Sequence, residues 1–409
     1  MKKLFLIFLT ILICVNLFAQ WGKYKSKERD RYFKNFNYTP FKPLDTAFIL
    51  SFNSEYYEIH DTEINYEPYS PDKHSTPYDK FYWQYLDSVF KTIPPNDNGY
   101  LDDFSYEEEI WIIKEEMGKI GKISKTQILI YEKKDSIEAF IYEDWKYEIF
   151  GGFGIWIGYS EDNGNSWNYY YTGIVQEQPL FIKYYSQRAL IKEKGKLEID
   201  ACLIRQRSAF PLPGPYYECI KDGIFVFLDI DVLSKDTDGD GLPDIIEDKF
   251  YLNKYSEDTD GDGIPDFLDT NPRVYFPQTE KSKIYEALLN QNIDFNTSKL
   301  GTELLFKDDY IFVTDSLETI FIVTDSEDIM AIRPLRNRII FMTNEEYQKR
   351  DNVFRSDFRY KKISPFLKVD SIKDAYIVYI GSSRSNGGCS YLIQKTQKGW
   401  FAKMISVSV

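Results

Sequence analysis

The chain contains 409 residues and carries a formal net charge of −14, with 64 acidic against 50 basic side chains. An acidic surface of this kind excludes nucleic acid and anionic membranes as favoured partners, because both require clustered basic charge. The length predicts roughly two or three domains. Only two histidines are present, which disfavours a histidine-based nucleophilic triad.

The first residues are typical of a leader for export. Two lysines precede an apolar stretch over residues 4–18, which is short for a membrane-spanning helix. We predict a signal peptide over residues 1–19, cleaved after Ala19, and hence a secreted or periplasmic protein. A lipoprotein would use Cys14, but the isoleucine before it is bulky for that signal. No later segment is apolar over enough residues to span a bilayer.

Four cysteines are present, and Cys14 lies within the predicted leader. In an oxidising compartment a Cys202–Cys219 disulfide can form, which would leave Cys389 unpaired. Three cysteines are too few for a disulfide scaffold. No Cys/His cluster at ligand spacing indicates a zinc site.

Residues 20–100 are predicted to form an irregular N-terminal region. They are rich in Tyr, Phe, Pro and Asp, and their hydrophobic periodicity is poor. A helix near residues 78–90 and a linker or turn over 91–99 are the exceptions. Both histidines, His60 and His74, fall in stretches that resemble loops.

Residues 101–233 are predicted to form a mostly antiparallel β domain. Ser105 and Glu108 make a capping box ahead of a helix that ends near residue 117. Runs rich in β-branched and aromatic residues then alternate with short polar turns. These runs predict strands over residues 126–131, 137–142, 154–159, 167–172, 197–204 and 224–232.

Residues 160–167 read Ser-Glu-Asp-Asn-Gly-Asn-Ser-Trp and fit the pattern S-x-D-x-G-x-[ST]-W between two strand-like runs. We expect Asp162 to accept hydrogen bonds from the turn amides, Gly164 to take a positive φ and Trp167 to fold under the turn. The pattern resembles the Asp-box of sialidases and other β-propeller proteins. A propeller would repeat it and a sialidase needs an arginine cluster, so this single box favours a structural hairpin.

Two acidic loops follow in tandem, 22 residues apart. The first reads D-T-D-G-D-G-L-P-D-I-I-E from Asp236, and the second reads D-T-D-G-D-G-I-P-D-F-L-D from Asp258. Carboxylates fall at positions 1, 3, 5, 9 and 12, with Gly241 and Gly263 at position 6, where the chain must turn sharply. Calcium takes about six to eight oxygens, including the position-7 carbonyl, from a loop of this period. The predicted ligands are Asp236, Asp238, Asp240, Leu242, Asp244, Glu247, Asp258, Asp260, Asp262, Ile264, Asp266 and Asp269.

The two loops differ from ordinary EF-hands. Pro243 and Pro265 occupy position 8, where proline removes a donor that a paired EF-hand uses in a short strand. The DxDGDGxPDxxE/D pattern over residues 234–272 resembles the thrombospondin type 3 repeat and its bacterial relatives. The resemblance implies structural calcium in an extended segment with a small core, commonly between domains. Asp269 is shorter than the glutamate of the first loop and predicts a weaker or more hydrated second site.

Few apolar residues are available to dock this segment on a neighbouring domain. We expect the docking groups to be Phe250, Tyr251, Leu252, Phe267 and Leu268. Without ions, the carboxylates of the segment would repel one another and its chain entropy would be unopposed.

Residues 273–409 are predicted to form an α+β domain. A helix is expected over residues 281–290, and Thr343 with Glu346 makes a capping box for a helix over 344–350. The predicted strands cover residues 310–314, 319–324, 338–342, 375–380, 389–395 and 400–407.

These features predict an α+β multidomain protein: a mostly antiparallel β domain, a calcium-binding linker and a C-terminal α+β domain. They favour an exported calcium-binding structural or binding protein whose acidic loops rigidify the junction between two domains. Its partner would be an unidentified protein or glycan, for which the high Tyr and Phe content would suit a contact surface. The alternative is a secreted carbohydrate-active hydrolase with its site in the β domain, because carboxylates are abundant there.

Overall fold

The computed structural model describes residues 24–34, 44–62, 118–144, 154–174, 179–183, 188–206, 217–289, 293–294, 299–300, 318–333, 337–351, 360–382 and 388–408. Several predicted features lie outside these described residues. They are the signal peptide, His74, the helix near 78–90, the linker over 91–99, the helix after Ser105 and the strand over 310–314.

Strands dominate the fold and most of them pair antiparallel, which confirms the predicted β-rich α+β class.

The chain divides into two compact units. The β unit comprises Phe41–Tyr147 and Gly151–Lys249, and the mixed-sheet unit comprises Met1–Pro40, Glu148–Phe150 and Phe250–Val409. The predicted linker over residues 234–272 is therefore shared: the first acidic loop belongs to the β unit, and the second belongs to the mixed-sheet unit.

The helices of the described residues are short. They are α1 (Lys27–Lys34), α2 (Thr46–Leu50), α3 (Ile230–Leu233), α4 (Asp244–Phe250), α5 (Glu280–Leu289), α6 (Glu327–Met330) and α7 (Asn344–Asp351). None of them has the length and apolar character that a bilayer crossing requires.

The β unit contains all six strands predicted over residues 101–233, together with several that were not predicted. Its strands are β1 (Tyr57–Asp61), β2 (Lys119–Ile120), β3 (Ile123–Ser124), β4 (Ile128–Lys134), β5 (Ile137–Asp144), β6 (Gly154–Ser160), β7 (Asn168–Tyr171), β8 (Leu180–Ile182), β9 (Ile191–Glu193), β10 (Lys196–Gln206) and β11 (Tyr217–Asp229).

The β unit has two main sheets. Strands β4 to β7 form an antiparallel meander, and the other sheet has the order β1-β11-β10-β8 with β9 beside β10. The Glu132 carboxylate of β4 links the two sheets, because it accepts hydrogen bonds from the amides of Leu190 (2.5 Å) and Ile191 (3.2 Å). The core is aliphatic and aromatic, with fully buried Phe140, Ile141, Ile155, Ile157, Ile199 and Val226.

Two local predictions in the β unit were wrong. His60 lies in β1 and stacks on Phe225 (ring centroids 5.2 Å apart), so it does not lie in a loop. The strand predicted over 224–232 ends at Asp229, whose carboxylate accepts a hydrogen bond from the Asp231 amide (3.0 Å) and begins α3. A side-chain cap therefore stops the strand within an apolar run.

The structure leaves Cys202 and Cys219 as free thiols, so the Cys202–Cys219 disulfide is absent here. The two thiols share a hydrogen bond, which together with burial raises the pKa of Cys202. Cys389 is also a free thiol.

The mixed-sheet unit is built on one nine-stranded sheet. Its strands are β12 (Ile293–Asp294), β13 (Lys299–Leu300), β14 (Glu318–Val323), β15 (Asn337–Met342), β16 (Tyr360–Ile363), β17 (Leu367–Lys368), β18 (Ala375–Ser382), β19 (Gly388–Thr396) and β20 (Gly399–Ser408). The order is β12-β13-β20-β19-β18-β16-β14-β15, with β17 beside β18. Strand β14 runs parallel to β15 and β16.

Both faces of this sheet are covered. Successive side chains of a strand point to opposite faces, and in β18 the neighbours Ile377 and Val378 belong to different apolar clusters. The Val378 cluster includes Tyr285 of α5, and the Ile377 cluster packs against Tyr32 of α1. The sheet is therefore a layer between helices, and residues of both its faces are buried.

The predicted capping box of α7 is confirmed. The Thr343 amide donates to Glu346 Oε2 (2.8 Å), and the Glu346 amide donates to Thr343 Oγ1 (3.2 Å). Arg273 also bonds both Glu346 oxygens, at 3.0 and 2.5 Å, and these bonds lower the pKa of Glu346 to about 2. The chain that leaves the second acidic loop is thereby tied to α7.

Candidate metal centre

The carboxylates at positions 1, 3 and 5 of the first loop converge. Asp236, Asp238 and Asp240 place oxygens within 4.8 Å of one another. Backbone amides of the loop hold these side chains: Gly239 and Gly241 donate to the two oxygens of Asp236 at 2.7 and 3.0 Å. The Asp240 amide donates to Asp238 Oδ1 (3.2 Å), and the Leu242 amide, at position 7, donates to Asp240 Oδ1 (2.6 Å). The loop thus gathers three negative charges around one point.

The second loop repeats this arrangement bond for bond. Asp258, Asp260 and Asp262 also place oxygens within 4.8 Å of one another. Gly261 and Gly263 both donate to Asp258 at 2.8 Å. The position-5 and position-7 amides donate at 3.1 and 2.9 Å to the carboxylates of Asp260 and Asp262. The 22-residue repeat of the sequence is therefore a repeat of hydrogen bonds.

Glycines make the tight turns possible. The predicted position-6 glycines, Gly241 and Gly263, have φ of 102° and 93°, which only glycine adopts readily. Sequence reasoning missed the position-4 glycines, Gly239 and Gly261, whose φ values are also positive, at 83° and 75°. Their recurrence at the same place in both loops was the available signal.

The position-9 carboxylates brace the loops. Asp244 accepts hydrogen bonds from the Thr237 amide and hydroxyl, both at 2.7 Å, and from Lys235 Nζ at 3.0 Å. Burial opposes ionisation, but these bonds prevail and lower the pKa of Asp244. Asp266 bonds the Thr259 amide (2.9 Å) and hydroxyl (2.5 Å) in the same way. These two predicted ligands thus lie outside the two clusters of three and close each loop onto itself.

The position-12 carboxylates are buried, with Glu247 0 % and Asp269 2 % exposed. Asp269 Oδ1 accepts a hydrogen bond from the Asn271 amide (2.8 Å). Burial, together with the negative charges of Asp262 and Asp260, raises the pKa of Asp269 to about 7. Asp269 therefore lies within electrostatic reach of the second cluster.

The residues present fit a divalent cation that prefers oxygen. Asp238 Oδ2, Asp260 Oδ2 and Asp269 Oδ2 are buried and have no hydrogen-bond partner. Burying an unpaired carboxylate oxygen is costly, and burial together with the charge of Asp262 raises the pKa of Asp260 to about 6. A cation at the cluster would offset this cost. A ligand set made of oxygen alone suits calcium or magnesium better than the metals that select nitrogen or sulfur.

The position-7 residues distinguish the two loops. The amide of each donates to the position-5 carboxylate, as Leu242 does to Asp240 and Ile264 to Asp262. The Leu242 side chain is 1 % exposed, whereas Ile264 is 42 % exposed. The first loop is therefore anchored by apolar burial at a point where the second is not.

The first loop docks through α4. Within the β unit, Ile245 and Ile246 of α4 are buried, and the Tyr56 hydroxyl bonds the Asp248 carboxylate. Phe250, the last residue of α4, belongs to the mixed-sheet unit and stacks on Phe321 there. Sequence reasoning had chosen Phe250 but neither isoleucine. The buried face of α4 thus holds the end of the first loop in place.

The second loop docks mainly through hydrogen bonds. The Arg338 side chain, 1 % exposed, donates to the carbonyls of Asp269 (3.0 Å) and Phe267 (2.5 Å). The Ile339 amide donates to the Thr270 carbonyl (2.8 Å). Leu268, an expected docking group, is instead 48 % exposed. Strand β15 therefore holds the end of the second loop through its polar groups.

The hairpin between β6 and β7 has the predicted geometry. Asp162 Oδ1 accepts hydrogen bonds from the Ser166 amide (2.9 Å) and the Ser160 hydroxyl (2.8 Å), and Oδ2 accepts from the Ser166 hydroxyl (2.6 Å). Gly164 has φ of 80°. The Trp167 ring donates to the Gly164 carbonyl (3.0 Å) and packs on Phe140. Both carboxylate oxygens of Asp162 thus accept hydrogen bonds from residues of its own turn.

Replacing Asp162 by alanine should lower the melting temperature, because an amide and two hydroxyls lose their acceptor. The Ser166 bonds hold the pKa of Asp162 at about 2, below its ordinary 3.8. This contribution is present above pH 3.8 and is lost as the pH falls through about 2, so the difference from wild type should shrink there. Thermal unfolding monitored by circular dichroism measures both effects. Glu161→Gln is the matched control, and an unchanged melting temperature with loss of a glycan-cleaving activity would support the hydrolase alternative.

Two buried carboxylates of β10 lie side by side. Glu198 and Asp200 share a face of the strand because they are two residues apart. Arg188 bonds both, from Nη1 to Glu198 Oε2 (2.7 Å) and from Nε to Asp200 Oδ1 (3.3 Å), and it lies 3.8 Å from the Phe225 ring centroid. Arg188 bridges the pair and Lys192 Nζ lies 3.4 Å from Glu198 Oε1, which is typical of a structural ion network rather than a separated catalytic acid and base.

No protein-family model, curated protein or solved structure matches this chain.

Proposed function

We propose that this chain is an exported calcium-binding structural protein. Each acidic loop holds one calcium ion and stabilises the segment by which the chain passes from the β unit to the mixed-sheet unit. The observation that carries the proposal is a set of buried carboxylate oxygens without hydrogen-bond partners. Two of them, on Asp238 and Asp260, belong to the aspartate clusters, and the third is on Asp269.

Calcium suits these loops better than magnesium. Calcium accepts six to eight oxygens in flexible geometry, whereas magnesium demands near-ideal octahedral geometry and keeps several waters. Each cluster supplies its three aspartates, and the position-7 carbonyl and position-12 carboxylate would extend the set. The ligand residues would be Asp236, Asp238, Asp240, Leu242 and Glu247 in one loop, and Asp258, Asp260, Asp262, Ile264 and Asp269 in the other.

The leader-like residues 1–19 support an extracytoplasmic location, where calcium is abundant. Loops of extracellular modules bind calcium with dissociation constants of about 10⁻⁴ to 10⁻³ M. At roughly millimolar calcium both loops would be largely filled, and filling would stabilise the fold by about 1 kcal/mol per site. Permanent occupancy would make the ions structural rather than signalling elements.

The partner is proposed to be a protein or a glycan. The hydrolase alternative gains no specific support from the described residues, since Asp162 bonds its own turn and Glu198 with Asp200 bonds Arg188. A structural role accounts for each of these groups.

Native mass spectrometry of the chain at millimolar calcium should show two bound ions. Treatment with a calcium-selective chelator should remove both, and magnesium at the same concentration should not replace them fully. A spectrum with no bound calcium would refute the proposal.

A further inference from the structure

Arg333 lies beside the second loop. Its Nη2 atom is 3.8 Å from Asp262 Oδ2, and its guanidinium carbon is 5.1 Å from the Tyr275 ring centroid. Its backbone amide donates to Glu286 Oε2 of α5 (3.0 Å), which fixes the residue where the chain leaves α6. A positive charge is thus held within ion-pair distance of a predicted ligand.

The guanidinium acts through its charge. Its Nη1 and Nη2 atoms are buried and have no hydrogen-bond partner, so an external anion has no access to them. Its Nη2 atom lies 3.8 Å from the Asp262 carboxylate, whose side chain is only 5 % exposed, so water screens this charge pair little. The arginine therefore offsets part of the negative charge that the second loop concentrates.

The first loop has a different cation. Lys235 Nζ bonds Asp244 Oδ2 at 3.0 Å, and the lysine side chain is 63 % exposed. It contacts the position-9 brace rather than the cluster of three aspartates, and water screens its charge. Lys235 is therefore a solvated charge at position 9 of the first loop, whereas the Arg333 Nη atoms are buried beside the second cluster.

We propose that Arg333 is a built-in counter-charge of the second loop, which lowers the calcium affinity of that loop and keeps it folded when calcium is scarce. The inference rests on the calcium binding proposed above. A divalent cation that enters the second loop meets this fixed positive charge and is repelled by it. Removal of that charge therefore tightens calcium binding to the second loop.

Calorimetric calcium titrations of variants test this inference, with Asp238→Asn as the background so that only the second loop binds. In that background Arg333→Gln should tighten binding about tenfold, because one nearby charge is removed. Arg333→Lys, which keeps the charge, should stay close to the parent. In chelator, Arg333→Gln should also melt at a lower temperature than Arg333→Lys.

Lys281→Gln is the matched control, since it removes a positive charge that is paired with Asp328 (3.3 Å) in the same unit. It should leave calcium binding unchanged. Equal affinities for Arg333→Gln and its parent would overturn the inference while calcium binding stands. Failure of the wild-type chain to bind calcium would instead refute the proposed function.

A second variant applies if Arg333→Gln does not fold. Arg333→Met keeps much of the apolar length of the side chain and removes its charge. In the Asp238→Asn background it should also tighten calcium binding about tenfold, and an affinity equal to that of the parent would overturn the inference.

Discussion

Asp238→Asn and Asp260→Asn should each reduce the bound calcium from two ions to one. In each aspartate, Oδ1 accepts a loop amide and Oδ2 is buried without a hydrogen-bond partner. Asparagine keeps an acceptor for the amide but removes the negative charge, so the loop can still close while its cation is lost. A filled site contributes about 1 kcal/mol at millimolar calcium. Calcium should therefore raise the melting temperature of each variant less than it raises that of the wild type.

Glu257→Gln is the control for charge alone. Glu257 lies in the same acidic segment and is exposed, and only its backbone carbonyl takes part in the loop, as the acceptor of the Asp266 amide (2.9 Å). It should keep two ions. Calorimetry and native mass spectrometry both give the count, and two ions in either aspartate variant would show that the cluster is not the binding site.

The loops were predictable from sequence because the donors and acceptors that shape each loop lie close together along the chain. The Asp-Gly spacing that predicted a ligand loop is also the spacing of the hydrogen bonds, since a loop amide donates to each aspartate at positions 1, 3 and 5. The Asp162 hairpin and the α7 capping box were predictable for the same reason. Each is closed by side chains within six residues of one another along the chain.

What the sequence did not reveal depends on distant partners. Arg338 and Arg333 reach the second loop from more than sixty residues away, and no spacing rule links them to it. The position-9 aspartates match the ligand pattern, yet Thr237 and Thr259 engage their oxygens. The ligand pattern does not specify these threonine donors, and the ligand role of both aspartates stays a prediction. Ile245 and Ile246 were overlooked because two apolar residues inside an acidic segment carry little periodic signal, although α4 buries them both.

Chelation should make the segment over residues 234–273 sensitive to proteases while both units stay folded. Without ions the aspartates of each cluster repel one another, and each loop loses about 1 kcal/mol of stabilisation, so the open form becomes roughly fivefold more populated per loop. Cleavage by trypsin is expected first at Lys235, whose side chain is 63 % exposed. Lys249 and Arg273 should be cut more slowly, because they bond Tyr171 and Glu346.

The experiment requires a control for the protease, since chelators also act on proteases that use calcium. The double variant Asp238→Asn with Asp260→Asn, digested in the presence of calcium, should be cut as fast as chelated wild type. Glu257→Gln should remain as resistant as wild type in calcium. Far-UV circular dichroism should change little in all samples, because the sheets of both units are built outside the loops. Equal resistance with and without chelator would mean that Arg338 and the buried face of α4 hold the segment by themselves, and that the ions add nothing to its order.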